Sequence, residues 1–405
     1  MELAAPIRCG LTKLHIPLAV PTTPRRAFTP AGKETAVRPR TAPLASSTPP
    51  VAVVRALQWI RHHLLRLHQK LVPAPLAMTE LLMGQMVSQA IAAAAELGLA
   101  QALADGPLNR DELARRVGVH PVALGRLMRA LIGRGVFREL RDGRYGLTPI
   151  AVTLCPDAPL SVVGWARYCG SQPYRELWSA LIDAVRTGQP VPPSLWGMDG
   201  FAYLAENTHA ATLFNDAMTS LSEVTAASVV NAYEFGRFPV VVDVGGGHGR
   251  LLAAILAANP ESRGVLCDLP TVVTGAPAVL DAAGVGSRVL IESGSFFESV
   301  PAGGDAYVLQ FVIHDWGDDA AQTILRNIAA AAPDHATVVL AEMVIPRHHR
   351  DFAGNWADLD MLLLGEGHER TANQYRELLR RSGFHVTRIV ATVSPVSIIE
   401  ASRIR

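Results

Sequence analysis

The segment Val240-Val241-Val242-Asp243-Val244 runs without a spacer into Gly245-Gly246-Gly247-His248-Gly249, and helix-compatible residues follow from Leu251 to Ala258. A buried strand, a glycine turn and a helix form the first βα unit of a nucleotide-type fold, in which the glycines let a ligand approach the backbone. Downstream, Gly264–Cys267, Val289–Ile291, Ala306–Ile313 and Thr337–Leu340 are apolar runs of strand length. Between them, Val272–Ala283 and Ala320–Ala331 read as helices. Short apolar strands alternating with helices predict a doubly wound, parallel α/β sheet.

Three details narrow the ligand of the glycine loop. Counted from Gly245, the dinucleotide fingerprint needs its last glycine where Arg250 stands, which disfavours a pyrophosphate ligand. Asp243 sits just before the loop, where a carboxylate repels phosphate and attracts an ammonium group, directly or through water. Asp268 ends the next strand at about the place where an acidic side chain bonds ribose hydroxyls. Each carboxylate also has a plainer reading, Asp243 as a loop stabiliser and Asp268 as a helix cap before Leu269-Pro270. Together they favour a ribose-bearing, ammonium-bearing ligand without phosphate, and S-adenosylmethionine has that chemistry.

At 405 residues the chain exceeds one ordinary domain. The part before the sheet reads differently. Asn109 is an expected N-cap for a helix to Val117, with Asp111 and Glu112 at its positive end. Pro121 opens a second helix carrying Leu124, Leu127, Met128 and Leu131, and a hairpin follows from Gly135 to Thr148. Helix, turn, helix and hairpin describe a winged helix. A reading helix for DNA presents polar side chains to base edges. This one offers Arg126, Arg129 and Arg134 on an otherwise apolar sequence, so burial in a dimer is the expected use.

Charge points the same way. The net charge is +1. Residues 1–70 hold eleven Lys/Arg against Glu2 and Glu34, leaving the remainder acidic and without the expected signature of a nucleic-acid binder. Residues 1–77 are expected to be a disordered or overextended leader, or a transit segment. Within them, the basic, helix-compatible stretch Val51–Lys70 could rest on an anionic membrane surface or stand in solvent. No apolar run reaches the length of a membrane span, and Cys9, Cys155, Cys169 and Cys267 are too scattered for a disulfide framework, which suits a reducing cytoplasm.

From about Met78 onward the chain resembles the class I O-methyltransferases of the caffeate and acetylserotonin type, and above all their bacterial relatives in natural-product tailoring. The strings that carry the resemblance are Phe214-Asn215-x-x-Met218, Val242-Asp243-Val244-Gly245-Gly246-Gly247, Asp268-Leu269-Pro270, Gly294-Ser295-Phe296-Phe297, His314-Asp315-Trp316, Ala341-Glu342 and Glu369-Arg370-Thr371. The resemblance implies a winged-helix dimerisation domain over 78–175 and a Rossmann-like, S-adenosylmethionine-binding domain over 176–405. It implies that Asp243, Gly245 and Gly247 follow the methionine part, that Asp268 holds the ribose, and that Ser222 meets the carboxylate. Ser295 stands where many relatives have Asp, moving the polar contact to adenine toward the backbone near Phe296, and Gln310 stands where plant members have Lys.

For the chemistry, the resemblance makes His314 the general base, with Glu342 and Glu369 holding its other nitrogen. An imidazole of ordinary pKa, about 6.5, suits a phenolic proton. Without the resemblance, His314 or Asp315 also reads as a cap for the next helix. Trp178, Phe214, Met218, Phe311, Asp315, Met361 and Leu364 are the expected acceptor contacts. No metal is expected, because His62-His63 and His348-His349 lack a coherent ligand set and Asp358-x-Asp360 lies in a helix-like segment. The expected activity is methylation of a small aromatic or polyketide-like hydroxyl by a homodimer, releasing S-adenosylhomocysteine. The alternatives are a decarboxylase or hydroxylase on the same scaffold, or a non-catalytic winged-helix regulator.

Overall fold

A computed structural model describes residues 51–348 and 350–404; the expectations for residues 1–50, Cys9 included, and for His349 lie outside them. Among the described residues nine strands form two sheets. The hairpin pairs β1 (Phe137–Glu139) with β2 (Tyr145–Leu147), and Leu108 bridges to Tyr145. It follows the helices Arg110–Val117 and Pro121–Gly133, completing the winged helix. Asn109 caps the first of these through a capping box with Glu112, and Gly118 ends it in the left-handed region at φ 72°.

The main sheet is built from β3 (Val240–Val244), β4 (Arg263–Asp268), β5 (Val289–Ser293), β6 (Ala306–Gln310), β7 (Thr337–Glu342), β8 (Phe384–Ala391) and β9 (Ser397–Arg403). Its order is β5-β4-β3-β6-β7-β9-β8. The first five are parallel, as the alternation predicted. β9 pairs antiparallel with β7 and β8 antiparallel with β9, closing the edge with a hairpin that the alternation did not reveal. The chain turns away from β3 in both directions, so the crevice between the carboxyl ends of β3 and β6 is the topological switch point where such sheets bind ligands.

Side chains alternate across the sheet with the period of a pleated strand. Val241, Val308 and Val339 join one core with Leu252, Ile255 and Val229, while Val242, Tyr307, Leu309 and Leu340 join the other with Ile324, Ile328 and Leu379. Two expected elements differ from their sequence reading. Val272–Ala283 is two helices, Pro270–Val273 and Ala276–Ala282, because Pro277 lacks an N–H and fits only in a first turn. The run Ala306–Ile313 stops being strand at Gln310, where Phe311 takes φ 55°, the only described non-glycine residue with positive φ.

Val51–Lys70 is a helix, as its helix-compatible sequence allowed, with no buried residue. Among the described residues no helix is long and apolar enough to cross a membrane. Cys155, Cys169 and Cys267 are free thiols.

The edge hairpin is locked by one carboxylate. Glu400 on β9 accepts from Tyr233 Oη (2.5 Å), Arg237 Nη2 (2.6 Å), Arg388 Nη2 (2.9 Å) and Thr387 Oγ1 (2.6 Å). Burial alone would raise its pKa, but these donors outweigh that and hold it at about 2. The folded value lies below the unfolded one, so the stabilisation is present above pH about 4.3 and is lost as pH falls toward 2. Glu400→Gln should cost about 1–3 kcal/mol at pH 7. Urea titrations of both proteins should show that gap closing between pH about 4.5 and 2.

Candidate active site

At the carboxyl end of β3 the Asp243 side chain is 1% exposed, and neither of its oxygens has a hydrogen-bond partner. Burial and the neighbouring Asp268 carboxylate push its pKa up to about 7. A buried carboxylate without donors is costly, so this one asks for a cationic or donor partner. Gly245 and Gly247 follow at φ 68° and 59°, in the region that side chains disfavour. A Cβ on Gly245 would strike Val312 at 2.9 Å, whereas one on Gly247 would meet open space.

Asp268 ends β4 and shapes this loop. Its Oδ2 accepts from the Gly247 N–H at 2.8 Å and its Oδ1 from the Leu269 N–H at 2.7 Å. Leu269, not Asp268, occupies the cap position of the short helix that follows, so the capping alternative falls away. Burial raises the Asp268 pKa against those two N–H donors. Phe296 packs over Gly245, 3.3 Å from the position of a Cβ there, and its carbonyl accepts from Asn327 Nδ2 at 2.9 Å. The Ser295 hydroxyl accepts from the Phe297 N–H at 3.3 Å. Ser222 and Gln310 meet each other: Ser222 Oγ donates to Gln310 Oε1 at 2.9 Å, and Gln310 Nε2 donates to Thr225 Oγ1 at 2.7 Å.

An orphaned carboxylate, an open glycine cradle and an acidic residue at the end of β4 fit an S-adenosylmethionine molecule laid along the switch point. Asp243, Gly245 and Gly247 would take its amino-acid end and Asp268 its ribose.

Next to this cradle, the left-handed Phe311 turns the chain out of β6 into a tight turn, Ile313–Asp315, that carries His314. A phenylalanine in that region costs about 1–3 kcal/mol and persists only where its surroundings impose it. Here Glu342 Oε1, at the end of β7, accepts from the N–H groups of Val312 (3.2 Å) and Ile313 (2.9 Å). Arg370, wholly buried, donates to the carbonyls of Ile313 (2.9 Å) and Trp316 (2.8 Å) and to Asp318 (2.9 Å). Gly367 lies against the same turn so closely that a Cβ would sit 2.2 Å from the His314 carbonyl oxygen.

His314 is 8% exposed and stacks on Phe311 with centroids 5.6 Å apart. Its Nδ1 lies 2.8 Å from Glu369 Oε1 but 4.0 Å from Glu342, so Glu369 is the direct partner and Glu342 works through the backbone. Asp358 Oδ1 in turn accepts from the Glu369 N–H at 2.8 Å. The other ring nitrogen, Nε2, has the Asp315 carboxylate 3.4 Å away. Neither residue caps the next helix, whose cap position is Gly317.

The ordinary imidazole pKa expected from the sequence does not survive this setting. Burial draws it down, but Asp315, Glu342 and Glu369 outweigh burial and hold it up to about 10. Burial also raises Glu342 to about 7 and Asp315 to about 6, each against the pull of His314. Ligand atoms of His314, Glu342 and Glu369 lie within 4.8 Å of one another, a grouping that sequence reading did not consider for a metal.

Tyr168, Phe214, Tyr174 and Trp178 form an aromatic wall. Tyr168 contacts Phe214 (5.8 Å between centroids) and Tyr174 (4.8 Å). Trp178 donates from Nε1 to Asp360 at 2.8 Å. Met218 is partly buried on the long helix Thr208–Ala232 and Met361 is buried on helix Ala353–Leu364. Leu364 packs into a satellite core with Leu177, Ala184 and Val191. Tyr168, Tyr174, Asp358, Asp360, Arg370 and Asn327 were missed as functional residues. Arg370 carried a signal, its place in the Glu369-Arg370-Thr371 string, and Asp358 and Asp360 were weighed only as a metal pair and set aside.

Residues 178–385 match the family model of the O-methyltransferase domain, and residues 79–157 that of the O-methyltransferase dimerisation domain. The chain belongs to the O-methyltransferase family and is an S-adenosylmethionine-dependent enzyme that methylates a hydroxyl. It is 39% identical over 330 residues to the phenazine O-methyltransferase PhzM of Lysobacter antibioticus, covering 82% of this chain and 96% of that one. The crystal structure of LaPhzM superposes with a TM-score of 0.78 at 39% identity, over 82% of this chain and 100% of that one. CalO1, a methyltransferase of calicheamicin biosynthesis solved with S-adenosylhomocysteine, gives 0.73 at 31% identity over 82% and 98%.

Proposed function

We propose that the acceptor is a small, planar, hydroxylated aromatic molecule, a phenol by preference, and that His314 takes the proton from the hydroxyl as it is methylated. The observation that carries this reading is the pairing of His314 Nδ1 with Glu369 at 2.8 Å, which fixes the ring and leaves Nε2 as the proton acceptor. S-adenosylmethionine supplies the electrophilic methyl carbon, and the oxygen attacks in line. Ser222, Asp243, Gly245, Gly247, Asp268, Ser295, Phe296 and Gln310 form the cofactor side. Trp178, Phe214, Met218, Phe311, Asp315, Met361 and Leu364 belong to the acceptor side, with Leu364 backing the wall from its satellite core.

The protein's contribution is positioning plus proton removal. Orientation alone supplies effective molarities of about 10⁵ M or more. The proton goes from the hydroxyl to Nε2, so the ring must first be neutral. Incubation with S-adenosylmethionine and a panel of phenols, quinols and polyketide-like acceptors should give products heavier by one methyl group with matching release of S-adenosylhomocysteine. Turnover without that release would defeat the reading.

In this reading the His314, Glu342 and Glu369 cluster holds the ring and its turn rather than a metal: Glu342 Oε1 accepts from two backbone N–H groups and Glu369 Oε1 pairs with the ring, while Oε2 of each carboxylate has no partner. Activity should therefore be unchanged after exhaustive treatment with a chelator and on adding Mg²⁺. A loss restored by the ion would overturn the metal-free assignment.

The same reading assigns 78–175 to dimerisation and 176–405 to catalysis, makes the enzyme a cytoplasmic homodimer, and gives Arg126, Arg129 and Arg134 no role in binding nucleic acid. Salt-dependent retention of duplex DNA would contradict that last point.

A further inference from the structure

Asp360 is a half-buried carboxylate beside the aromatic wall without a cation. Its Oδ1 accepts from Tyr174 Oη at 2.9 Å and from Trp178 Nε1 at 2.8 Å, while Oδ2 has only a longer share of the Tyr174 proton at 3.2 Å. A carboxylate has about four acceptor positions, so Oδ2 keeps unused capacity. Among the described residues no Lys, Arg or His forms an ion pair with it. Burial raises its pKa to about 6, against the two donors, which leaves it mostly ionised at neutral pH.

Its position relates it to the reacting end. The buried Tyr168 hydroxyl feels the charges of both Asp360 and Asp315, and Asp315 lies 3.4 Å from His314 Nε2. Tyr174, which donates to Asp360, contacts Tyr168, and Tyr168 contacts Phe214, so Asp360 adjoins the aromatic wall while Asp315 adjoins the base. Asp315 faces the His314 ring, whereas Asp360 has no facing cation among the described residues, and an uncompensated negative charge favours donors and cations and opposes anions.

We infer that Asp360 is a specificity-determining residue: it accepts a hydrogen bond from an amino or hydroxyl group at the end of the acceptor remote from the methylated oxygen, and it rejects acceptors with a carboxylate there. The inference rests on the acceptor side assigned above. It adds a chemical class to it, hydroxylated aromatics bearing a second donor or an ammonium group.

The test uses full-length enzyme and two catechols that share a ring and differ in the charge of the tail, dopamine and 3,4-dihydroxyphenylacetate, with 4-methylcatechol as the uncharged control. Affinity is read by quenching of tryptophan fluorescence and turnover by S-adenosylhomocysteine release. The wild type should prefer dopamine to the acid by about tenfold or more. Asp360→Asn keeps an oxygen for Tyr174 and Trp178 but removes the charge, and should bring the ratio, each probe normalised to 4-methylcatechol in the same variant, to within about threefold of one. Tyr174→Phe removes a donor and keeps the charge, so the wild-type preference should persist in it.

Equal handling of the two probes by the wild type, failure of the wild type to bind dopamine, or a ratio that Asp360→Asn does not move would each overturn the inference; a merely structural Asp360 gives the last result. Loss of S-adenosylhomocysteine release with every acceptor would instead strike the proposed chemistry, so the two failures are distinguishable.

Discussion

His314→Ala should lower kcat by about 10²–10⁴-fold while leaving the affinity for S-adenosylmethionine nearly unchanged. In the proposed function the ring serves the acceptor, and the cofactor is assigned to residues of β3, β4 and the loop at Phe296. The pH profile gives the sharper reading. The base must be neutral, and although burial favours the neutral ring, Asp315, Glu342 and Glu369 hold its pKa up to about 10. Wild-type kcat/KM on a phenolic acceptor should therefore climb with pH beyond the ordinary histidine range. Glu369→Gln removes one of those charges and weakens the bond at Nδ1, so its climb should begin at lower pH and reach a lower plateau. A profile that keeps its shape in His314→Ala would remove the imidazole from the mechanism.

Asp268→Ala should weaken S-adenosylmethionine binding by about 10²-fold or more, measured by calorimetry. Charge-assisted hydrogen bonds contribute about 1.5–3 kcal/mol each, and a ribose offers two hydroxyls to one carboxylate. The same side chain holds the Gly247 N–H at 2.8 Å, so the alanine also frees the loop that lines the cradle. Asp268→Asn retains an acceptor and should lose less. Equal affinities for wild type and Asp268→Ala would end the assignment of this edge to the cofactor.

These two experiments probe parts of the site that were legible in the sequence to different degrees. Asp243, the glycines and Asp268 were readable from the residues themselves, because a strand, its loop and the next strand are close in sequence and their spacing reflects their geometry. His314, Glu342 and Glu369 were joined only through resemblance to a family. The His314 and Glu369 side chains meet across 55 residues, and no local periodicity encodes such a contact. Asp360 was weighed only as a metal pair with Asp358, and its contact with Tyr174, 186 residues away, gave no sign. The edge hairpin of β8 and β9 went unread because the alternation of strands and helices that marks parallel units ends before it.

What the sequence by itself determined was the winged helix, the five-stranded parallel part of the sheet, and the strand-loop pair of carboxylates at its switch point. Those follow from apolar periodicity, caps and glycines, which act over a few residues. Tertiary structure alone decided the state of the site. It drove Phe311 into the left-handed region, set Glu369 rather than Glu342 on the imidazole, and gathered carboxylates that hold a proton on a histidine whose ordinary pKa would have released it. Electrostatic energy in a buried crevice depends on distance and exposure, not on sequence separation, so those outcomes existed only once the chain had folded.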